Sequence, residues 1–318
     1  MTVVNSVLGP LDTADFGTTL IHEHVFGSSI GIPQNYPEIL ERGYLKHIID
    51  GLKRAKAGGI DTIVDATTLD LGRDVNVLAK ASRLTGINII TCTGWWLEKT
   101  RVLPGVSIDS LTRGFVREIK KGIADTGIKA GILKGASDKA GVLPEEEKIL
   151  RAVARAHHQT GVPIMLHSFS PGQVGRRQIA ILKEEGVPLN RVKMDHSNDT
   201  TDLEYLVWML DQGCYLGMDR YPGEGTSPLA RTRTLKALID AGYKDRLCIS
   251  HDWSLARYVD KNSIIGTRQK RKKLNPHDFL YIKNVVFPQL REMGVSDKII
   301  NSLLVDAPRN FFEGAKRY

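Results

Sequence analysis

Cysteine is scarce in this chain: three residues in 318, Cys92, Cys214 and Cys248, each in an apolar, strand-like setting. Their odd number and wide spacing exclude a disulfide scaffold and fit a reducing, cytoplasmic compartment. No C-x-x-C pair exists, so the thiols read as buried and inert rather than as zinc ligands. Long hydrophobic runs are missing as well. Without a stretch of about 18 apolar residues, no membrane span or membrane partner is expected. Met1-Thr2-Val3-Val4-Asn5-Ser6 lacks the basic-then-apolar start of a secretion signal. Internal repeats, low-complexity tracts and linkers are also absent, so residues 1–318 are expected to form a single domain. The formal charge of +8 is spread through helical patterns, with one dense basic run, Arg268-Gln269-Lys270-Arg271-Lys272-Lys273. Such a run reads as a solvated loop. No zinc-finger spacing or RNP-like aromatic motif accompanies it, which argues against a nucleic-acid partner.

What the chain does have is a β/α alternation. Short apolar runs, many β-branched and most following a polar turn, predict strands over Thr18–His24, Thr62–Ala66, Asn88–Thr93 and Ala130–Lys134. Four more are predicted over Pro163–His167, Val192–His196, Cys214–Met218 and Leu247–Ser250. Helical patterns cover Pro37–Ala57, Arg73–Leu84, Ile108–Ala124, Pro144–Gln159, Gln173–Glu185, Asp202–Asp211 and Pro228–Ala241, then His277–Gly294 and Ser296–Phe312. Strands alternating with helices imply parallel-sheet units. An open dinucleotide-binding sheet would need G-x-G-x-x-G after the first strand, and Gly27-Ser28-Ser29-Ile30-Gly31 stands there instead. The strand count and length therefore predict a closed (β/α)8 TIM barrel.

In such a barrel, catalytic residues stand at the C-terminal ends of different strands. The first strand ends in His22-Glu23-His24. Residues two apart in a strand share a face, so both imidazoles point one way and Glu23 the other. Two converging imidazoles begin a transition-metal site. The other strand ends supply Lys134, His167, His196 and Ser250-His251-Asp252-Trp253. A lone lysine after an apolar strand usually snorkels to solvent, and a lone histidine there is more often a hydrogen-bonded core residue. Five such strand ends together point to one site at the C-terminal face of the strands.

The ordered set resembles the phosphotriesterase family of the amidohydrolase superfamily. Its landmarks run through nearly the whole chain, from Thr19-Leu20-Ile21-His22-Glu23-His24, Gly131-Ile132-Leu133-Lys134 and Leu166-His167-Ser168 to Asp195-His196-Ser197-Asn198-Asp199-Thr200, Gly217-Met218-Asp219-Arg220-Tyr221 and Ser250-His251-Asp252-Trp253. The resemblance implies a binuclear metal centre. His22, His24 and Asp252 would hold the more buried ion and His167 and His196 the more exposed one. Lys134 would bridge both as N6-carboxylysine, since an ammonium cannot ligate a cation and a carbamate can. The mixed N/O set suits zinc, with cobalt, manganese or iron as alternatives. A metal-bridging hydroxide would be the nucleophile, and Asp252 would take its proton and pass it to the leaving group.

Arg220 stands where the best-known organophosphate hydrolases have a relay histidine. Arginine cannot shuttle protons at neutral pH, so it either steers an anion or braces Asp199. Asp219-Arg220-Tyr221 is similar to the lactonase branch, which places Arg220 and Tyr221 with the substrate. Trp96 departs from the tyrosine common there, and Trp95 and Trp96 either wall the pocket or pack plainly. The expected activity is hydrolysis of a lactone or related carboxylic ester, with side activity on phosphotriesters. A dedicated phosphotriesterase, an N-acyl amide hydrolase and a non-catalytic ligand-binding barrel are the alternatives. The loops 221–228 and 253–276 set the substrate. The resemblance also implies a homodimer.

Overall fold

The computed structural model describes residues 2–40, 42–257 and 268–314. Two strands, β1 (Val3–Ser6) and β2 (Gly9–Asp12), form an antiparallel hairpin. Nine more build the main sheet: β3 (Thr19–Gly27), β4 (Thr62–Asp65), β5 (Asn88–Gly94), β6 (Ile132–Ala136), β7 (Ile164–His167), β8 (Val192–Asp195), β9 (Tyr215–Met218), β10 (Leu247–Ile249) and β11 (Ser254–Arg257). All neighbours in it are parallel, in the order β10-β9-β8-β7-β6-β5-β4-β3-β11. The last barrel strand is thus split. Its first piece pairs with β9 and its second with β3, so the ends of the row meet and the sheet closes into a (β/α)8 barrel. Further bonds from Asp252 N to the His22 carbonyl (3.1 Å) and from His24 N to the Trp253 carbonyl (2.9 Å) seal the seam.

Two apolar layers hold this shape. Outside the sheet, residues such as Leu133, Leu166 and Leu216 face helix residues such as Leu150, Ile179 and Leu206. Inside, Val64, Ile90, Ile132, Met165, Tyr215 and Cys248 fill the barrel below the site. Phe16 and the helix Asp306–Glu313 close the bottom, with the Phe16 ring edge-on to Phe312 at 5.3 Å. All three cysteines are buried and free. Burial pushes each thiol up to about 12, which makes them inert.

The eight predicted strands lie within a few residues of the observed ones, but several expectations need correction. The hairpin and β11 were not anticipated. Pro37–Ala57 breaks at Gly43, which has φ 74°, into a short turn and the helix Tyr44–Ala57. His277–Gly294 is interrupted by a π-helical stretch, Ile282–Val286, ahead of Pro288, which has no N–H for the preceding turn. Ser296–Phe312 splits because the Leu304 carbonyl accepts from Thr19 N at the start of β3. The basic run is a short helix, Arg268–Leu274, rather than a loop. Arg271 lies over the Trp253 ring at 4.8 Å. Within the substrate loop 253–276, residues 258–267 lie outside the described residues.

Gly94 shows how tightly the strand ends are set. It sits opposite Lys134 in the β5–β6 register with φ 126°, and a Cβ there would stand 1.9 Å from the Lys134 carbonyl oxygen. Gly94→Ala should cost about 1–3 kcal/mol of stability and move Lys134. Thermal unfolding together with metal analysis checks this; unchanged values for both would contradict it.

Candidate active site at the C-terminal barrel face

The six predicted donors come together at one end of the barrel. A register shift between Leu20 and Glu23 turns Ile21 into the barrel core, while His22 and His24 reach the site above it. Glu23 faces away, as its alternation requires. Its Oε1 accepts from Ser250 Oγ (2.7 Å), His251 N (2.9 Å) and His251 Nδ1 (2.6 Å), and its Oε2 from Trp253 N (3.1 Å). That clasp holds the corner bearing Asp252, which adopts φ 52°. His196, just past β8, has φ 60°. Left-handed backbone at two non-glycine site residues is the kind of strain functional positions retain.

Asp252 Oδ1 lies 3.4 Å from His22 Nε2 and 3.2 Å from His24 Nε2. Across the site, His196 Nε2 is 2.9 Å from His167 Nδ1. His22, His196 and Asp252 bring one donor atom each within 4.8 Å of one another. The far nitrogens are held from behind. His22 Nδ1 and His196 Nδ1 both donate to Asp219, at 3.1 and 3.0 Å, and His24 Nδ1 is 2.8 Å from Thr67 Oγ1. This leaves Nε2 of His22, His24 and His196 for a cation, the usual arrangement around metal-binding imidazoles. Lys134 is 2% exposed, and its Nζ lies 2.5 Å from Asp195 Oδ2. Four imidazoles, a carboxylate and a buried lysine in this geometry fit a pair of transition-metal ions. A second cluster, His22, Asp195 and Asp219, already contains a cation, because the Lys193 ammonium contacts both carboxylates.

A cavity of about 380 Å³ opens above these groups. His22, His24, Lys134, His167 and Asp252 face it, while His196 stands behind His167. Trp96 and Arg220 wall it. Trp96 Nε1 donates to His167 Nδ1 (3.3 Å), and its backbone N is held by both Asp70 oxygens. Arg220 bridges two carboxylates, from Nε to Asp252 Oδ2 (3.0 Å) and from Nη1 to Asp199 Oδ2 (2.5 Å). Tyr221 is the exception among the predicted site residues. It is fully buried in the apolar core and is not among the residues that line the cavity.

Comparisons with known proteins agree with this geometry. The model of the phosphotriesterase family matches residues 2–312. The chain belongs to the phosphotriesterase family. It is 40% identical to a phosphotriesterase homology protein of Mycobacterium tuberculosis, over 98% of each chain. It is 34% identical to an aryldialkylphosphatase of Saccharolobus solfataricus, over 95% of this chain and 96% of that one. An N-acetyltaurine hydrolase of Xenopus tropicalis is 26% identical over 97% of each. Hydrolases of more than one bond type therefore stand among its relatives.

Electrostatics divide this phosphotriesterase-family site. Burial lowers the His167 imidazole, and burial together with Arg220 takes His196 well below its ordinary value. At His22, burial and Lys134 push downward, but Asp195 and Asp219 outweigh them and raise it to about 10. Burial alone would raise the Asp252 carboxyl, yet the facing histidines hold it well below the usual range. In metal-free protein His22 thus carries an extra proton that a metal ion must displace. Cobalt affinity should keep rising with pH from neutrality toward about 10, since fewer protons then compete. A competition series against a chelator checks the sign; an affinity already flat just above pH 7 would contradict it.

Sequence reasoning passed over Asp219, Asp195 and Lys193 beneath the donors, and Glu98 and Arg257 on the cavity wall. Asp195 and Lys193 carried a usable signal. They alternate with Met194, so both share the inward face of β8 with no apolar residue between them on that face.

Proposed function

We propose that this chain, as one barrel domain, is a binuclear metal-dependent hydrolase of lactones or related carboxylic esters, with side activity on phosphotriesters. His22, His24 and Asp252 would hold one ion, His167 and His196 the other, and Lys134, as N6-carboxylysine, both. Zinc suits this donor set best. Bound there, such ions lower the pKa of water, polarise the substrate's reacting oxygen and offset charge in the transition state.

The protein's own groups do the rest. The observation that carries this reading is the placement of Asp252, which is turned toward the donors on one side, tied to Arg220 on the other, and open to the cavity. An anionic carboxylate there can take a proton from the attacking water and return it to the leaving oxygen. Arg220 supports that role without relaying protons. Burial would lower its pKa, but Asp252 and Asp199 more than reverse this and keep it charged. Asp199 is itself held by the buried Arg231 at 2.6 Å, so the brace ends in a fixed cation. Trp96 supplies an apolar wall for the substrate.

A second reading, hydrolysis of an N-acyl amide bearing an anionic group, is supported by the N-acetyltaurine hydrolase relative and by Arg257 on the cavity wall. The aryldialkylphosphatase relative supports phosphotriester cleavage in the same cavity. Zinc-loaded protein assayed against lactones, carboxylic esters, N-acyl amides and paraoxon decides among them. The highest kcat/KM should fall on a lactone or ester. A higher value on an amide or on paraoxon replaces the first reading, and no turnover with full metal content refutes hydrolysis at this site.

A further inference from the structure

Lys193 is fully buried inside the barrel, two residues before Asp195 and on the same face of β8. Its Nζ donates to Asp195 Oδ1 and, at 3.2 Å, to Asp219 Oδ2. Asp219 accepts from His22 Nδ1, His196 Nδ1 and, at 2.8 Å, from His196 N. Asp195 Oδ2 meets Lys134 Nζ at 2.5 Å and His22 Nδ1 at 3.1 Å. Gly217 keeps the space open, since a Cβ there would stand 2.2 Å from Asp219 Oδ2.

This arrangement is an expensive way to fill a barrel. An apolar side chain of similar volume is often neutral or stabilising in place of a buried ion pair, and the layer below is apolar. The charge therefore calls for a local reason, and the contacts supply one. Two carboxylates face one another beneath the donor set, and like charges at this range repel strongly away from water. A single ammonium between them draws both inward. With Asp219 fixed, each of the two histidines keeps its proton on Nδ1 and turns Nε2 toward the site.

We propose that Lys193 is a positioning residue of the metal centre. Its ammonium clamps Asp219 and Asp195, and through Asp219 it sets the ring orientation of His22 and His196, one imidazole from each half of the donor set. The inference rests on the metal-centre reading above.

Lys193→Met keeps the volume and removes the charge. With Co2+ alone as the probe, in competition with a chelator, the variant should lose roughly 10–100-fold in affinity. Its cobalt absorption spectrum should change as the imidazoles reorient. Adding Asp219→Asn should then cost little more, since both changes break the same clamp. A folded Lys193→Met protein with wild-type cobalt affinity and spectrum overturns the proposal, whatever its loss in Tm. Should that variant not fold, Lys193→Met combined with Asp195→Asn removes one cation and one anion together and is read in the same way. On unaltered zinc-loaded protein, 15N-histidine spectra should show a proton on Nδ1 of His22 and of His196; its absence from either ring also overturns the clamp. If the unaltered protein takes up no Co2+ at all, the metal-centre reading itself fails, a result distinct from equal uptake by both proteins.

Discussion

Lys134→Ala should remove metal and hydrolysis together. Of the six donor candidates, Lys134 alone cannot ligate in its ordinary charged form: its ammonium is 2.5 Å from Asp195 and carries no lone pair. Addition of CO2 to the neutral amine forms an N–C bond, releases one proton and leaves an anionic carbamate with two oxygens. Alanine offers no such anion. Metal content should fall from about two ions per chain, with turnover falling in parallel. Acetate or propionate should restore part of both, because a short carboxylate can enter the space the side chain leaves. Asp195 keeps Lys193 and His22 as partners, so the chain should remain folded. Full metal content and full turnover in the alanine variant would rule out a bridging role.

Asp252→Asn separates binding from proton transfer. The amide retains one oxygen that can face His22 and His24 and turns its NH2 toward Arg220, which loses that acceptor but is still held by Asp199. It lacks the basic carboxylate. A fall in kcat of at least about 100-fold is expected, on the scale of general acid–base contributions, with part of the metal retained. If kcat stays within a few-fold of the unaltered enzyme, another group carries the proton.

The barrel was legible because its strands are short apolar segments set off by turns, a pattern local enough to read residue by residue. The hairpin β1–β2 and β11 were harder. Gly9-Pro10-Leu11-Asp12 has little strand character, and β11 exists only because β3 offers it an edge at the seam. The donors were readable as polar residues ending apolar strands, and the structure gathers His22, His24, Lys134, His167, His196 and Asp252 at one barrel end. Tyr221, expected beside the substrate, lies in the apolar core, since adjacency to Arg220 says nothing about which way a neighbour points. The carboxylates behind the histidines escaped notice for a different reason. Asp219 is defined by what it touches across the barrel, on strands far apart in sequence.

Glu23 gives the seam a temporal meaning. Its bonds to Ser250, His251 and Trp253 join residues 227 to 230 positions apart, so the last donor is seated by the longest-range pairing in the sheet. Contacts of such separation form late, once the intervening chain has been ordered. A growing polypeptide that has reached β9 already carries every donor except Asp252, yet it has neither the clasp nor the closed ring to hold them. Acquisition of metal should therefore follow closure of the seam rather than precede it.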